Sequence, residues 1–321
     1  MRRREFLAGL AAAVCPLAAA AQPQPTRLIG ILSNAPGANS MFETFVEGMR
    51  DLGYVEGRDV AYVRRVSPDP DAMPALAAEL VHSGVEVLVT AGPPAVRACQ
   101  QATKSIPIVF LAVGNPVTSG FVASLAHPGG NLTGLSFDND FLSGKRLDLL
   151  RQLVANLKQV AVFYAGAHQS KSSMAATEQT AQKLGLELNW QPVAAAEAFE
   201  PAFAAAAAAA RAQALDVLAH PFFNENRARL AELAAKYRLP AIYETGEYVR
   251  SGCLMAYGPL FGDMGRRGAA FVDQFLKGAR PADLPVEVTT RFQLSINLTA
   301  AKALGLDVPP TLLAGADEVI E

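Results

Sequence analysis

From Arg27 onward, short apolar runs alternate with stretches whose apolar residues recur every three or four positions. RLIGIL, residues 27–32, is a run of the first kind, with the length of a buried strand. After the polar stretch SNAPGANS, Phe42, Phe45, Val46, Met49 and Leu52 fall at helical spacing, and Gly53 stands where that helix should stop. The alternation continues with DVAYVRRV (strand), ALAAELVHSG (helix) and VEVLVTAG, a strand that ends at Thr90-Ala91-Gly92. PPAVRACQQAT then opens a helix with proline in its first turn, a favoured place, and IPIVFLAVG is the next strand. Such strand–helix alternation predicts a parallel sheet with helices on both faces.

Between Val113 and Ser136 the pattern breaks into a passage rich in Gly, Pro, Asn, Ser and Thr, and then it restarts. SGKRLDLLRQLVANL is a helix, QVAVFYAG a strand, SSMAATEQTAQKLG a helix and LELNWQPV a strand. Alanine is the best helix former, so the tract from Pro201 to Leu215 predicts a helix. ALDVLAHPFFN, PAIYETGEYV and GCLMAYG read as strands with their loops, separated by the helix RARLAELAAKYRLP. GRRGAAFVDQFLKG is a long helix closed by Gly278. The tail LPVEVTTRFQLSINL is extended and is expected to return across both halves, after which Asn297 caps a short helix. The chain thus predicts two similar α/β halves, and its 321 residues agree with about two domains.

Charge narrows the function. The chain carries 28 basic and 30 acidic residues with no basic block, which speaks against a nucleic-acid partner. The N-terminus, MRRREFLAGLAAAVCPLAAAAQPQ, has three arginines, an apolar run and small residues, the order of a signal peptide covering residues 1–21. Its apolar run is shorter than the roughly 20 residues of a permanent span. Arg3-Arg4-Glu5-Phe6-Leu7 resembles the twin-arginine export motif; an ordinary Sec signal carrying an arginine pair is the alternative. Lipidation at Cys15 is a further alternative, with Val14 where a small residue is wanted. No later run has the length of a membrane span, so the mature protein is expected in the periplasm. Cys99 and Cys253 remain after cleavage, too few for a disulfide framework, and are expected as free buried thiols.

Catalytic signatures are missing. There is no G-x-S-x-G, P-loop, G-x-G-x-x-G or H-E-x-x-H pattern. His82, His127, His168 and His220 are scattered without metal-ligand spacing. The expectation is a protein without cofactor, metal or catalytic residues, and not an enzyme.

GNPVTSGFVASLAHPGGNLTGLS (114–136), GCLMAYG (252–258) and KGARPADLPVEVTTRFQLSINLTAAKALGLDVPPTLLAGADEVIE (277–321) closely resemble three signatures of one family. It is the ABC-transporter substrate-binding family that includes tryptophan- and tyrosine-binding lipoproteins. The resemblance runs from Arg27 to Glu321. Cys253 replaces a glycine that the family often has, and Leu260 stands where an acidic or amide residue is usual, departures that bear on the ligand more than on the fold. The resemblance implies a type I periplasmic-binding-protein fold: two doubly wound parallel-sheet α/β lobes joined by a three-strand hinge, closing on a ligand between them. The lobes would be residues 27–135 with about 258–288, and 136–257 with about 289–321. Within the broken passage, Phe121 to Leu125 would be a short helix, His127-Pro-Gly-Gly a tight turn and Asn131 to Ser136 the first crossing strand.

Ligands of such sheets sit at the carboxyl ends of the strands. That rule nominates Ser33, Asn34, Thr90, Ala91, Gly92 and Asn115 in the first lobe. In the second it nominates Tyr164, Ser170, His220, Phe222, Asn224, Tyr243, Glu244 and Glu247, with Asp138 just after the first crossing. Free amides near helix starts would attract a carboxylate, and Asp138 or Glu244 an ammonium group. Tyr164, Phe222 or Tyr243 would wall an apolar side chain. The implied partners are a small organic solute, for which an amino acid is the candidate, and an ABC permease with its ATPase, served by a monomer. A sensor subunit that presents its ligand to a membrane receptor and a secreted α/β enzyme are the alternatives. The export signal and the absence of a DNA-binding headpiece exclude a sugar-responsive repressor of the same fold.

Overall fold

The computed structural model describes residues 26–34, 40–67, 69–169, 171–209 and 211–321. The signal peptide, Cys15 and Ser170 lie outside the described residues. The strands are β1 (Arg27–Ser33), β2 (Val60–Val66), β3 (Val87–Thr90), β4 (Ile108–Gly114), β5 (Leu132–Phe137), β6 (Gln159–Tyr164), β7 (Glu187–Pro192), β8 (Ala214–Val217), β9 (Ala241–Tyr243), β10 (Met255–Pro259), β11 (Glu287–Val288), β12 (Phe292–Asn297) and β13 (Glu318–Ile320). They form two sheets, ordered β11-β5-β4-β3-β1-β2 and β13-β12-β10-β9-β8-β6-β7. Every pairing in the first sheet is parallel. In the second, the β10–β12 pair alone among the described pairings is antiparallel.

Strands buried on both faces explain the continuous apolar runs. Along β4, Val109 and Leu111 face one cluster with Phe45, Met49 and Phe271. Ile108 and Phe110 face the opposite cluster with Leu32, Val96 and Cys99. The second sheet repeats this, with Phe163 and Leu215 packed on Phe199 and Phe203 on one side, and Val162 and Ala214 beside Leu150 and Ile296 on the other. The period of two is the strand's own. Cys99 and Cys253 are free and buried.

The chain passes between the sheets three times: after Phe137 into the helix Asn139–Leu153, after Pro259 into the helix Phe261–Leu276, and between Val288 and Phe292. The first crossing therefore follows β5. Asn131 to Ser136 do not cross, because β5 pairs with β4 from Leu132 onward and completes the first sheet. Phe121 to Leu125 form turns, not a helix. Gly120 takes a left-handed φ of 74°, and the Phe121 and Ala123 amides donate to the carbonyls of Pro116 and Pro128, not to a helical ladder. The alanine tract also ends early: the helix Phe199–Ala204 widens into a π turn over Ala205–Ala209, and β8 begins at Ala214. Burial of Ala214 and Leu215 beside β6 overrides alanine's helix propensity there. Asn297 caps as expected: its Oδ1 accepts from the Ala300 amide at 2.8 Å, at the start of the helix Leu298–Leu304.

The helix Phe261–Leu276 returns to the first lobe and packs on the helix Ser40–Asp51. A Cβ on Gly265 would lie 2.1 Å from the Met41 carbonyl oxygen and 2.2 Å from Thr44 Oγ1. Gly265→Ala is expected to destabilise the protein by about 1–3 kcal/mol, the cost of overpacking a close contact. Gly262→Ala, where the nearest atom is 3.6 Å away, is the control. Denaturant midpoints compare the two, and equal midpoints would contradict this packing.

Candidate functional site

In the first sheet the chain starts at β1 and places β2 on one side and β3 on the other; in the second, β7 and β8 flank β6 in the same way. These switch points open crevices at the carboxyl ends of the strands. Residues from both ends line one cavity of about 160 Å³. One water needs about 10–15 Å³ of such space, so the cavity has room for a small organic solute.

The two walls differ in chemistry. The first lobe contributes Met41, Ala91, Pro93, Ala112, Phe137 and Phe261, with Ser33, Asn34, Gly92 and Gly114. Phe137 and Phe261 meet edge to face, centroids 6.3 Å apart. The second lobe contributes Gln169, His220, Asn224, Glu244, Thr245 and Glu247, with Ala219 and Pro221. Among the described residues, the lining holds two carboxylates and neither lysine nor arginine.

Local structure explains each polar group. Gly92 has φ 79°, and a Cβ there would lie 3.2 Å from Asn34 Oδ1, so glycine lets the two loops meet. The helix Pro93–Ala102 then begins with two prolines, which have no N–H. The amide donors expected at that helix start are reduced accordingly, leaving mainly the helix dipole. His220 Nδ1 accepts from the Phe222 amide at 3.3 Å, which places the proton of a neutral ring on Nε2. Gln169 is held at both ends: Oε1 accepts from the Ala165 amide and Nε2 donates to the Ala219 carbonyl, tying the β6 and β8 loops together. Thr245 precedes the helix Gly246–Arg250 without capping it. Its buried Oγ1 and the buried Oδ1 of Asn224 have no hydrogen-bond partner among the described residues. Unpaired buried polar atoms are costly, so both are ready for a ligand. Burial pushes the Glu244 carboxyl up to about 7, against the opposing pull of Arg146.

Of the residues nominated from sequence, Ser33, Asn34, Ala91, Gly92, His220, Asn224, Glu244 and Glu247 come together around the cavity. Six others do not line it. Thr90 is fully buried beside the Cys99 thiol. Tyr243 is fully buried and stacks on Tyr248 at 4.6 Å. Strand alternation turns Tyr243 into the core and Glu244 the other way. Tyr164 packs edge-on against Trp190, and Phe222 stacks on Phe199. Asn115 turns the chain with φ 52° and accepts from the Ser119 amide through its carbonyl. Asp138 is exposed, and its Oδ1 accepts from the Phe141 amide at the start of the next helix. The apolar wall went unnoticed in sequence, as did Gln169 and Thr245. Phe137, as the last residue of a strand, carried the signal. Neither Cys253 nor Leu260 lines the cavity. Among the described residues, no group of three or more His, Cys, Asp or Glu is placed to hold a metal, and no helix is long and apolar enough to cross a membrane.

Two doubly wound lobes, three chain crossings and a cavity shared between the strand ends define a type I periplasmic binding protein. Residues 29–320 match the family described as ABC transporter substrate binding protein, and the chain belongs to it. It is 26% identical over 286 residues to a tyrosine-binding protein of Clostridioides difficile, covering 87% of this chain and 81% of the relative. A conserved domain protein from Vibrio cholerae superposes with a TM-score of 0.86 at 26% identity, covering 92% of this chain and 99% of that one. A Streptococcus pneumonia domain crystallised with L-Trp gives 0.84 at 24% identity, covering 92% and 100%.

Proposed function

We propose that this chain is an extracytoplasmic receptor that captures one amino acid between its lobes and delivers it, as a monomer, to an ABC permease and its ATPase. The carrying observation is the division of the cavity into an apolar first-lobe wall and an acidic, hydrogen-bonding second-lobe wall, with neither lysine nor arginine among the described lining residues. An ammonium group suits Glu244 and Glu247, and an apolar or aromatic side chain suits Met41, Phe137 and Phe261. Thr245 and Asn224 offer further hydrogen bonds. The family, and a relative named for tyrosine, support the reading. Export by the twin-arginine route belongs to the same proposal and accounts for Arg3-Arg4.

The test is a thermal-melting screen of mature protein, unfolded and refolded to strip carried ligand. A solute at about 100 times its dissociation constant adds roughly 2.7 kcal/mol of stability. Aromatic or aliphatic amino acids are expected to raise the midpoint, and their counterparts lacking the amine are not. Shifts produced only by sugars or by amine-free acids would overturn the proposal.

A further inference from the structure

Arg146, on the helix Asn139–Leu153, and Asp216, within β8, are both fully buried, with Nε 3.6 Å from Oδ1. Among the described residues none hydrogen-bonds the three guanidinium nitrogens or the two Asp216 oxygens. Such a pair is a poor source of stability. Desolvation costs several kcal/mol per ion, and recovering it takes good geometry with further hydrogen bonds. Its effect on the rest of the lobe is its field.

The field has a target. β8 and β9 run in parallel with Asp216 opposite Ile242. Side chains alternate along a strand, so Glu244, two residues beyond Ile242, lies on the sheet face of Asp216, one repeat nearer the cavity. Burial raises both carboxyls, and Arg146 opposes that rise in each. Other groups around Glu244 are Glu247 and His220 at the cavity, Tyr248 with Arg227 behind it, and the Arg250–Glu318 ion pair beside Gly246. The described first-lobe lining residues carry no charge. Among the described residues Arg146 is the one fully buried cation, and Asp216 is what offsets it.

We propose that the Arg146–Asp216 pair sets the charge state of Glu244 and thereby tunes the cavity for a cationic amine. Arg146 is a positioning residue that acts through Glu244 without touching the ligand. The amine rests on the amino-acid reading above; the control of Glu244 does not.

The test titrates unliganded full-length mature protein carrying ¹³C-carboxyl glutamate, with the Glu244 resonance identified by its loss in Glu244→Gln. Asp216→Asn removes the charge that offsets Arg146 and is expected to lower the Glu244 midpoint by about one pH unit. Arg146→Met is expected to raise it by a similar amount. A packing defect would not move one midpoint in opposite directions in two variants. Should Arg146→Met fail to fold, the near-isosteric Asp216→Asn decides alone. A Glu244 midpoint that Asp216→Asn leaves in place overturns the proposal. No ligand enters the titration, so this result is independent of whether an amino acid binds.

Discussion

Glu244→Gln is expected to weaken binding of an amine-bearing ligand by about 2–5 kcal/mol, the usual penalty for removing one partner of a buried charge pair. At about 1.4 kcal/mol per tenfold, this is a loss of roughly thirtyfold to several-thousandfold. The wild type should also show a pH signature. With its carboxyl near 7 in the free protein, Glu244 is mostly protonated at pH 6 and ionised at pH 8. A bound ammonium favours the ionised form, so binding expels the proton. Affinity then falls as pH drops below 7, by up to about tenfold per pH unit, and levels off above it. Calorimetry across this range, in buffers of different ionisation enthalpy, reads both the affinity and the proton. A flat wild-type profile would remove Glu244 from the role.

The same carboxyl burdens the empty protein. Its folded value of about 7 exceeds its ordinary 4.5, so the folded state binds more protons than the unfolded one between those pH values. The contribution of Glu244 to stability is therefore greatest below about 4.5 and declines as pH rises through 7. At about 1.4 kcal/mol per pH unit, the burden above 7 approaches roughly 3.5 kcal/mol. Glu244→Gln should thus melt higher than wild type at pH 8 without ligand, with the advantage gone near pH 4.5. A substitution that stabilises the protein while weakening binding marks a residue kept for function.

Sheet alternation and apolar runs made both lobes readable, because parallel strands buried on two faces leave an unbroken signature in the chain. The site was readable to the level of which loops face the cleft. Ser33-Asn34, Ala91-Gly92 and His220 follow from strand order alone, since the carboxyl ends of adjacent strands converge. The sequence did not resolve which neighbour turns inward. Tyr243 and Glu244 differ by one position, and the register of β9 against β8 and β10 decides that the carboxylate, not the ring, reaches the cavity. Asp138 illustrates a second limit: a carboxylate nominated by its place after β5 also caps the following helix, a contact that the strand-end rule does not foresee. Phe261 and Met41 belong to helices whose docking on each other is set by Gly265, a contact far apart in the chain.

Gly258→Ala should cost about 3 kcal/mol of stability, the upper end for overpacking, and damage binding as well. Gly258 lies in β10, and a Cβ there would fall 2.0 Å from the Glu244 carbonyl oxygen and 3.2 Å from its Cγ. Backbone cannot yield as a flexible side chain does, so the new methyl must displace the segment that carries Glu244. Gly258 is flanked by Glu244 on one side and pairs with Gln293 of β12 on the other, which leaves β10 little room to retreat. The affinity loss should therefore pass through the Glu244 carboxylate. In the Glu244→Gln background, Gly258→Ala is expected to reduce affinity little further, while its stability cost remains. Denaturation and calorimetry on the wild type, both single variants and the double variant complete the cycle. Fully additive affinity losses would mean that Gly258 loosens the whole lobe, and would separate the glycine from the carboxylate it adjoins.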